Sequence, residues 1–396
     1  MSQTPKKTPK KIMKRQHIVL ASGGTGGHMF PARALAEELI QRGHKVSLVT
    51  DQRGQGFGND LPQVTVHKVS AGGIAGGSLL HKALSTAKLA MGILQAMKKL
   101  QSIKADAVVA FGGYASVPAG LAGSFLGIPV YLHEQNAVLG RANRLLATRA
   151  RNICTSFRKV SHIPAGCENK IILTGNPVRP AIMNLRETPY PTPSEQSPLR
   201  LLVTGGSQGA SVFNSLVPEA LALLPENLRH RIQISQQVRK DGDSAESVAT
   251  IYNTAGIAAD LKSFFDDMPE RLSSAHLVIC RSGASTITEL AAAGRPAILV
   301  PYPHATDDHQ NDNAQDFADA GAGWLMSQSS LNAQDLSNRL ISLFSNTQLL
   351  QRAASCARSH AIIDAASNLA DLVCGPPEKI GDTSSTSTNV SNGAAA

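Results

Sequence analysis

Aromatic residues are scarce in this chain of 396 residues, at 4%, and Trp occurs once. That excludes the interleaving of aromatic and basic side chains on which single-stranded nucleic acid stacks, so no nucleic-acid partner is expected. Long apolar runs are missing too. None reaches the ~18–20 residues needed to span a bilayer. The basic N-terminus lacks an apolar stretch after its charges, which argues against a secretory signal. Five cysteines, at 154, 167, 280, 356 and 374, stand at irregular spacings. They form no disulfide framework and no metal-ligand pattern, and read as reduced thiols in a cytoplasmic protein. Acid is absent from one long stretch. Between Asp60 and Asp106 there is no Asp or Glu, but there are Lys68, Lys82, Lys88, Lys98, Lys99 and Lys104. Basic, partly apolar surface of this kind suits an anionic membrane surface. Six of the nine net positive charges sit elsewhere, on residues 1–16. That segment is rich in Lys, Pro and Thr and reads as a disordered tail.

What is present is a regular alternation of short apolar strands and amphipathic helices. Strands are expected at 17–21, 45–50, 64–69, 107–111, 129–132 and 171–174, with helices at 31–42, 79–100, 115–126 and 138–148. Residues 186–199 carry four prolines and little apolar content, the pattern of a linker. A second series follows, with strands at 200–204, 231–235, 258–260, 277–280, 297–301 and 323–325. Its helices are 211–224, 286–293, 311–320, 333–344 and 347–358. The division expected is a tail 1–16, a first domain 17–185, a linker 186–199 and a second domain 200–360. A last helix, 361–374, should pack back on the first domain, and 375–396 is a low-complexity tail. The fold class is α/β, two Rossmann-like domains with parallel sheets facing across a cleft. Ligands on such sheets bind beyond the carboxyl ends of the strands.

The unusual residues follow strands. Gly23-Gly24-Thr25-Gly26-Gly27-His28 comes after the first, a glycine turn into a helix start where backbone N–H groups can meet an anion. Pro31 suits the first turn of that helix. Thr204-Gly205-Gly206-Ser207-Gln208-Gly209 repeats the device after the first strand of the second half. Phe111-Gly112-Gly113-Tyr114, His133-Glu134-Gln135-Asn136 and Gly175-Asn176-Pro177-Val178-Arg179 follow further strands. Arg281-Ser282-Gly283-Ala284-Ser285-Thr286-Ile287-Thr288-Glu289 opens another helix start. Glu289 reads either as the acid of a capping box with Thr286 or as a carboxylate for ribose hydroxyls. The run Asp307–Asn313 suits sugar hydroxyls or is a solvated loop. His28, at a glycine-loop helix start, could take a proton from a hydroxyl nucleophile. Asp241-Gly242-Asp243 and the charges around 237–247 read as a solvated surface, and no metal or other cofactor is expected.

Taken in order, these motifs closely resemble the MurG family, the bacterial lipid-linked peptidoglycan N-acetylglucosaminyltransferases of GT-B fold. The resemblance runs from about His17 to the last helix. It implies an inverting hexosyl transfer from UDP-N-acetylglucosamine to the 4-hydroxyl of the muramoyl sugar on undecaprenyl diphosphate, lipid I to lipid II. This is a step of peptidoglycan synthesis, tied to cell shape and division. It implies that Thr25, Gly26, Gly27, Asn136, Arg179, Ser207, Phe265, Ala284, Ser285, Thr286, Ile287, Thr288, Glu289 and Gln310 bind the donor. Gly112, Gly113, Tyr114, His133 and Glu134 fall on the acceptor side, and His28 is the candidate base. It also implies a peripheral place on the cytoplasmic face of the plasma membrane, with cell-wall synthesis or division proteins as possible partners. A docking patch is expected near Ile74, Leu79 and Leu80, beside Lys82 and Lys88.

Two features depart from that family. Ser235-Gln236-Gln237-Val238-Arg239 stands where a His-Gln-x-Gly run is usual. The loop 301–309 is slightly longer, so His309 and Gln310 are placed to within one residue. A soluble UDP-N-acetylglucosamine 2-epimerase shares the two-domain fold and is the second enzyme reading. A non-catalytic nucleotide-sugar-binding scaffold is a third, but it would need neither His28 nor both glycine cradles. A dinucleotide oxidoreductase is disfavoured because Gly23–Gly27 lacks the GxGxxG spacing.

Overall fold

The structure, a computed structural model, describes residues 15–375 apart from 24–25, 52–56, 58–60, 73–78, 195, 207–208 and 239–243. Thr25, Ser207, Ile74, Asp241–Asp243 and almost all of both tails therefore lie outside the described residues, as do the side chains of Leu79, Leu80 and Lys82. Two all-parallel sheets account for the architecture. The first contains β1 His17–Ala21, β2 Lys45–Thr50, β3 Thr65–Lys68, β4 Ala107–Ala110, β5 Val130–Glu134, β6 Asn152–Thr155 and β7 Ile171–Leu173. Its spatial order is β3-β2-β1-β4-β5-β6-β7. The second contains β8 Leu199–Thr204, β9 Ile232–Gln237, β10 Ala258–Lys262, β11 Leu277–Cys280, β12 Ala297–Leu299 and β13 Gly323–Leu325, in the order β10-β9-β8-β11-β12-β13. In each sheet the order reverses beside the opening strand, between β1 and β4 and between β8 and β11. That reversal leaves a crevice at the carboxyl ends of those strands.

Alternation along the strands fixes which face each side chain covers. Ile18 and Leu20 join Leu35 and Leu39 of α1 (Gly26–Gln41) in one core, while Val19 and Ala21 join Ala96 and Leu100 of α2 (Leu79–Ser102) in another. The second sheet is layered likewise. Leu201, Val203 and Ile234 face one way; Leu202, Val278 and Cys280 face the other. The second of these cores also takes in Ala137, Phe157 and Ile182 of the first half, so the halves share apolar packing. The last helix, Ala365–Cys374, lies on α1. Its Leu369, Ala370 and Val373 are buried in the first-half core, and Arg42 of the α1 end bonds Asp371 and Ser367. Arg295 is fully buried in the second half. Its guanidinium donates to the carbonyls of Leu272, Ser273, Ala293 and Gly294, at the C-terminal ends of two helices, where a cation is favourable.

Two expectations from the sequence need correction. The first helix begins at Gly26, not Pro31, so Pro31 lies inside it and leaves the Gly27 carbonyl without an i+4 donor. Strand β6 was not foreseen; it is four residues between polar flanks. Among the described residues of 237–247 the charged one, Glu246, is exposed at the start of the helix Ser244–Thr254, as a solvated face requires.

Candidate active site

The first crevice is built from three glycines and an imidazole. After β1 the chain passes so close to the β4 turn that a Cβ on Gly23 would lie 3.6 Å from Cα of Gly113. Gly112 and Gly113 have φ of +88° and +70°, which side-chain-bearing residues rarely adopt. The His28 ring fills the space their side chains would need. A Cβ on Gly112 would be 3.3 Å from its Cε1, and one on Gly113 3.5 Å from its Cδ2. His28 sits in the first turn of α1, whose leading N–H groups have no intrahelical acceptor. Tyr114 follows the glycines and lies beside the guanidinium of Arg141.

Behind His28 runs a chain of hydrogen bonds. His28 Nδ1 lies 2.8 Å from Gln135 Oε1, Gln135 Nε2 lies 2.9 Å from His133 Nδ1, and His133 Nε2 lies 3.0 Å from the Gly175 carbonyl. His133 is fully buried, and that burial lowers its pKa to about 4, so it stays neutral at ordinary pH. Glu134 is also buried. Its carboxylate accepts from the N–H of Asn136 and Gly140 and from the side-chain amides of Asn136 and Asn143. His133 and Glu134, expected to face an acceptor, thus face protein instead and shape the loop that carries Gln135 and Asn136.

The second crevice is built around a helix start. α3 (Ala284–Ala293) follows β11, with Gly283 at its N-cap and no side chain capping it. The capping-box reading of Thr286 and Glu289 is therefore wrong, because Thr286 is the third helical residue. Glu289 instead bonds Arg179 of the first half, at 3.0 Å from Nε and 2.7 Å from Nη2. Burial pushes the Glu289 carboxyl up and Arg179 opposes it. Among the described residues Ser285 Oγ is buried without a hydrogen-bond partner, an uncommon state for a hydroxyl. Ile287 turns its side chain into the core, so only its backbone is available. The Phe265 ring is buried, with the Arg271 guanidinium 4.0 Å from its centre.

Several contacts join the two crevices. Arg179 stacks over the ring of Phe30, two residues beyond His28, at 5.4 Å. Asn176 Nδ2 donates to Thr288 Oγ1. Asn313, fully buried on the helix His309–Asp319, donates to Asn136 Oδ1 and the Ser282 carbonyl and accepts from the N–H of Ala137. Gln310 holds its own loop through the N–H of Tyr302. Just before it, Asp307 and Asp308 both have φ of +53°, and Asp307 pairs with Arg141 and Arg144 of the first half. The departure at Ser235–Arg239 also finds a place. Gln237 accepts from Thr204 Oγ1 and the N–H of Gly205, and Gln236 donates to the Phe213 carbonyl, so these amides brace the second glycine loop. Gly205 admits no other residue, since a Cβ there would lie 2.2 Å from the Ala210 nitrogen.

Gln135 and Phe30 have no role in the sequence reading, while Asn313 closes the run read for sugar hydroxyls. Gln135 stood in the polar run after β5, and Asn313 lies one turn beyond Gln310. Nothing marked Phe30.

Two family models match the chain. The glycosyltransferase family 28 N-terminal domain matches residues 18–155 and the family 28 C-terminal domain matches 200–369. A protein of Paramagnetospirillum magneticum is 52% identical over 90% of this chain and 96% of its own length. It is named UDP-N-acetylglucosamine–N-acetylmuramyl-(pentapeptide) pyrophosphoryl-undecaprenol N-acetylglucosamine transferase. The crystal structure of Acinetobacter baumannii MurG superposes with a TM-score of 0.73 at 34% identity, covering 90% of this chain and 99% of that one. A Neisseria meningitidis UDP-GlcNAc 2-epimerase bound to UDP-GlcNAc shares the fold at a TM-score of 0.62, covering 90% of this chain and 99% of that one, but is only 12% identical.

Proposed function

The chain belongs to glycosyltransferase family 28, of the MurG type, and from that premise we infer how its two crevices divide the reaction. It transfers N-acetylglucosamine from UDP-N-acetylglucosamine to the muramoyl-pentapeptide carried on undecaprenyl diphosphate, lipid I to lipid II. The epimerase likeness extends to the fold alone.

The observation that carries the division of labour is the contrast at the two helix starts. One holds an imidazole against glycine backbone; the other holds an uncapped first turn with an unpartnered hydroxyl. The second suits the UDP diphosphate, with Ser285 to Thr288 around it, Glu289 on the ribose hydroxyls, and the backbone near Phe265 on the base. Gln310 and Asn136 then face the sugar, and Arg179 leaves Glu289 to meet the diphosphate. Gly112, Gly113 and the first turn of α1 suit the acceptor diphosphate. The acceptor hydroxyl attacks the anomeric carbon from the side opposite UDP, giving inversion. Its proton passes to His28 Nε2, and the bond from the anomeric carbon to UDP breaks with its electron pair leaving on UDP. Preorganised N–H groups matter most there, where negative charge grows.

Membrane binding is part of the same proposal. Along α2 the exposed face reads Leu84, Lys88, Met91, Leu94 and Lys98, and Phe125 at the end of the neighbouring helix Val117–Phe125 is exposed as well. Among the described residues no helix is long and apolar enough to cross a bilayer. A basic, apolar face on two helices covering the first sheet suits peripheral docking on the cytoplasmic leaflet. Lys88→Glu combined with Leu94→Asp should weaken binding to anionic liposomes at low salt; unchanged binding rejects this face. The transfer itself is tested with labelled UDP-N-acetylglucosamine and a short-chain lipid I analogue. Disaccharide-lipid is the expected product, and free epimerised sugar would refute the assignment.

A further inference from the structure

The hydrogen bonds behind His28 can be read in only one direction. The Gly175 carbonyl can accept but not donate, so His133 Nε2 carries the proton. His133 is neutral, so its Nδ1 is a bare acceptor and must face the amide nitrogen of Gln135. The two amide hydrogens are then both used, one on His133 Nδ1 and one on the His133 carbonyl at 3.1 Å. That leaves only the amide oxygen for His28, whose Nδ1 must therefore donate. The anchor of the chain is itself fixed. Gly175 has φ of +84°, and a Cβ there would lie 2.7 Å from Ile362 Cγ2. Among the described residues, His28 Nε2 has no hydrogen-bond partner.

We propose that Gln135 and His133 are positioning residues that hold His28 in the tautomer with Nδ1 protonated and Nε2 free to take the acceptor's proton. This rests on the reading of His28 as base. The part in contact with His28 is a neutral amide. A carboxylate there would orient the ring equally but would favour the imidazolium, which cannot act as a base. Gln135 thus selects the tautomer without selecting the charged form, and His133 selects the orientation of Gln135.

The direct test is the ring nitrogen NMR spectrum of His28 in the full chain, assigned by its loss in His28→Ala. Nδ1 should resonate as protonated and Nε2 as unprotonated at neutral pH. An Nε2-protonated ring, or an even mixture, overturns the proposal whatever the catalytic role of His28. Kinetics gives the second arm. In Gln135→Met the side chain keeps its length but cannot bond either histidine. kcat should fall on the order of 10- to 10³-fold, within the ~10⁴-fold range known for a wrong histidine tautomer, while the donor KM changes little. Gln135→Glu should recover part of that loss and move the acid limb of the pH–rate profile upward, which a merely structural role would not do. If His28→Ala abolishes turnover but Gln135→Met keeps full kcat, the positioning role is wrong and the base stands. If His28→Ala keeps turnover, the base reading is wrong, and the NMR result alone decides the tautomer claim.

Discussion

The crevices at β1/β4 and β8/β11 occupy the same place in two similar sheets, yet the groups that define them are held differently. In the first, the groups behind His28 are tied to protein, through the chain from His28 to Gly175 and the four donors on Glu134. In the second, the helix start is uncapped, Ser285 Oγ is unpartnered, and Glu289 is held by an arginine from the other half. The same topology can therefore be finished in two ways. A site for proton transfer needs one group held rigidly in one protonation state. A site for an anion needs donors left over for the ligand.

The largest effect should come from His28→Ala, which removes the candidate base. Turnover should fall by at least the ~10²-fold low end for a lost general base, with the donor KM nearly unchanged in a steady-state assay. A comparable rise in donor KM would erase the contrast. Glu289→Ala should act the other way round. It removes charge-assisted hydrogen bonds worth about 1.5–3 kcal/mol, so UDP affinity by calorimetry should drop roughly 10- to 100-fold. Ser285→Ala removes one neutral donor, about 0.5–1.5 kcal/mol, and should weaken UDP binding only a few-fold. No change would mean its hydroxyl does not meet the diphosphate.

The smallest effect is on stability, and both halves contribute to it through buried and half-buried histidines. His133 and His276 are both buried, and burial lowers the pKa of each to about 4. In the unfolded chain a histidine titrates near ~6.5. Between those values the unfolded chain binds protons that the folded one refuses. Stability from this source is full above about pH 6.5 and is lost as pH falls toward 4. Melting followed by calorimetry should show Tm lower at pH 5 than at pH 7.5. A flat or rising Tm on acidification would contradict the neutral His133 on which the tautomer argument depends.

Much of the frame could be read from residues alone, because strand and helix periods are local. β1, β2, β11 and β13 fall at the expected bounds. Helix starts at glycines were harder. Gly26 and Gly27 are poor helix formers, each costing about 1 kcal/mol against Ala, so the sequence points to Pro31 as the start. A Cβ on Gly27 would meet nothing within 4 Å, so packing does not require that glycine, and the helix starts there although its residues favour it little. The site was legible as a set of runs after strands, not as partnerships. Nothing local says that Glu289 meets Arg179 from 110 residues away, or that Glu134 spends its carboxylate inside its own loop. Gln135 was overlooked because a neutral amide has no chemistry of its own; its role exists only between two imidazoles brought together by the fold.

UDP affinity measured by calorimetry on the wild type, His28→Ala and Glu289→Ala tests the division between the crevices most directly. The account predicts wild-type affinity in His28→Ala and at least roughly tenfold weaker binding in Glu289→Ala, from the ~1.5 kcal/mol lower bound of a charged hydrogen bond. Equal losses in the two variants would contradict it.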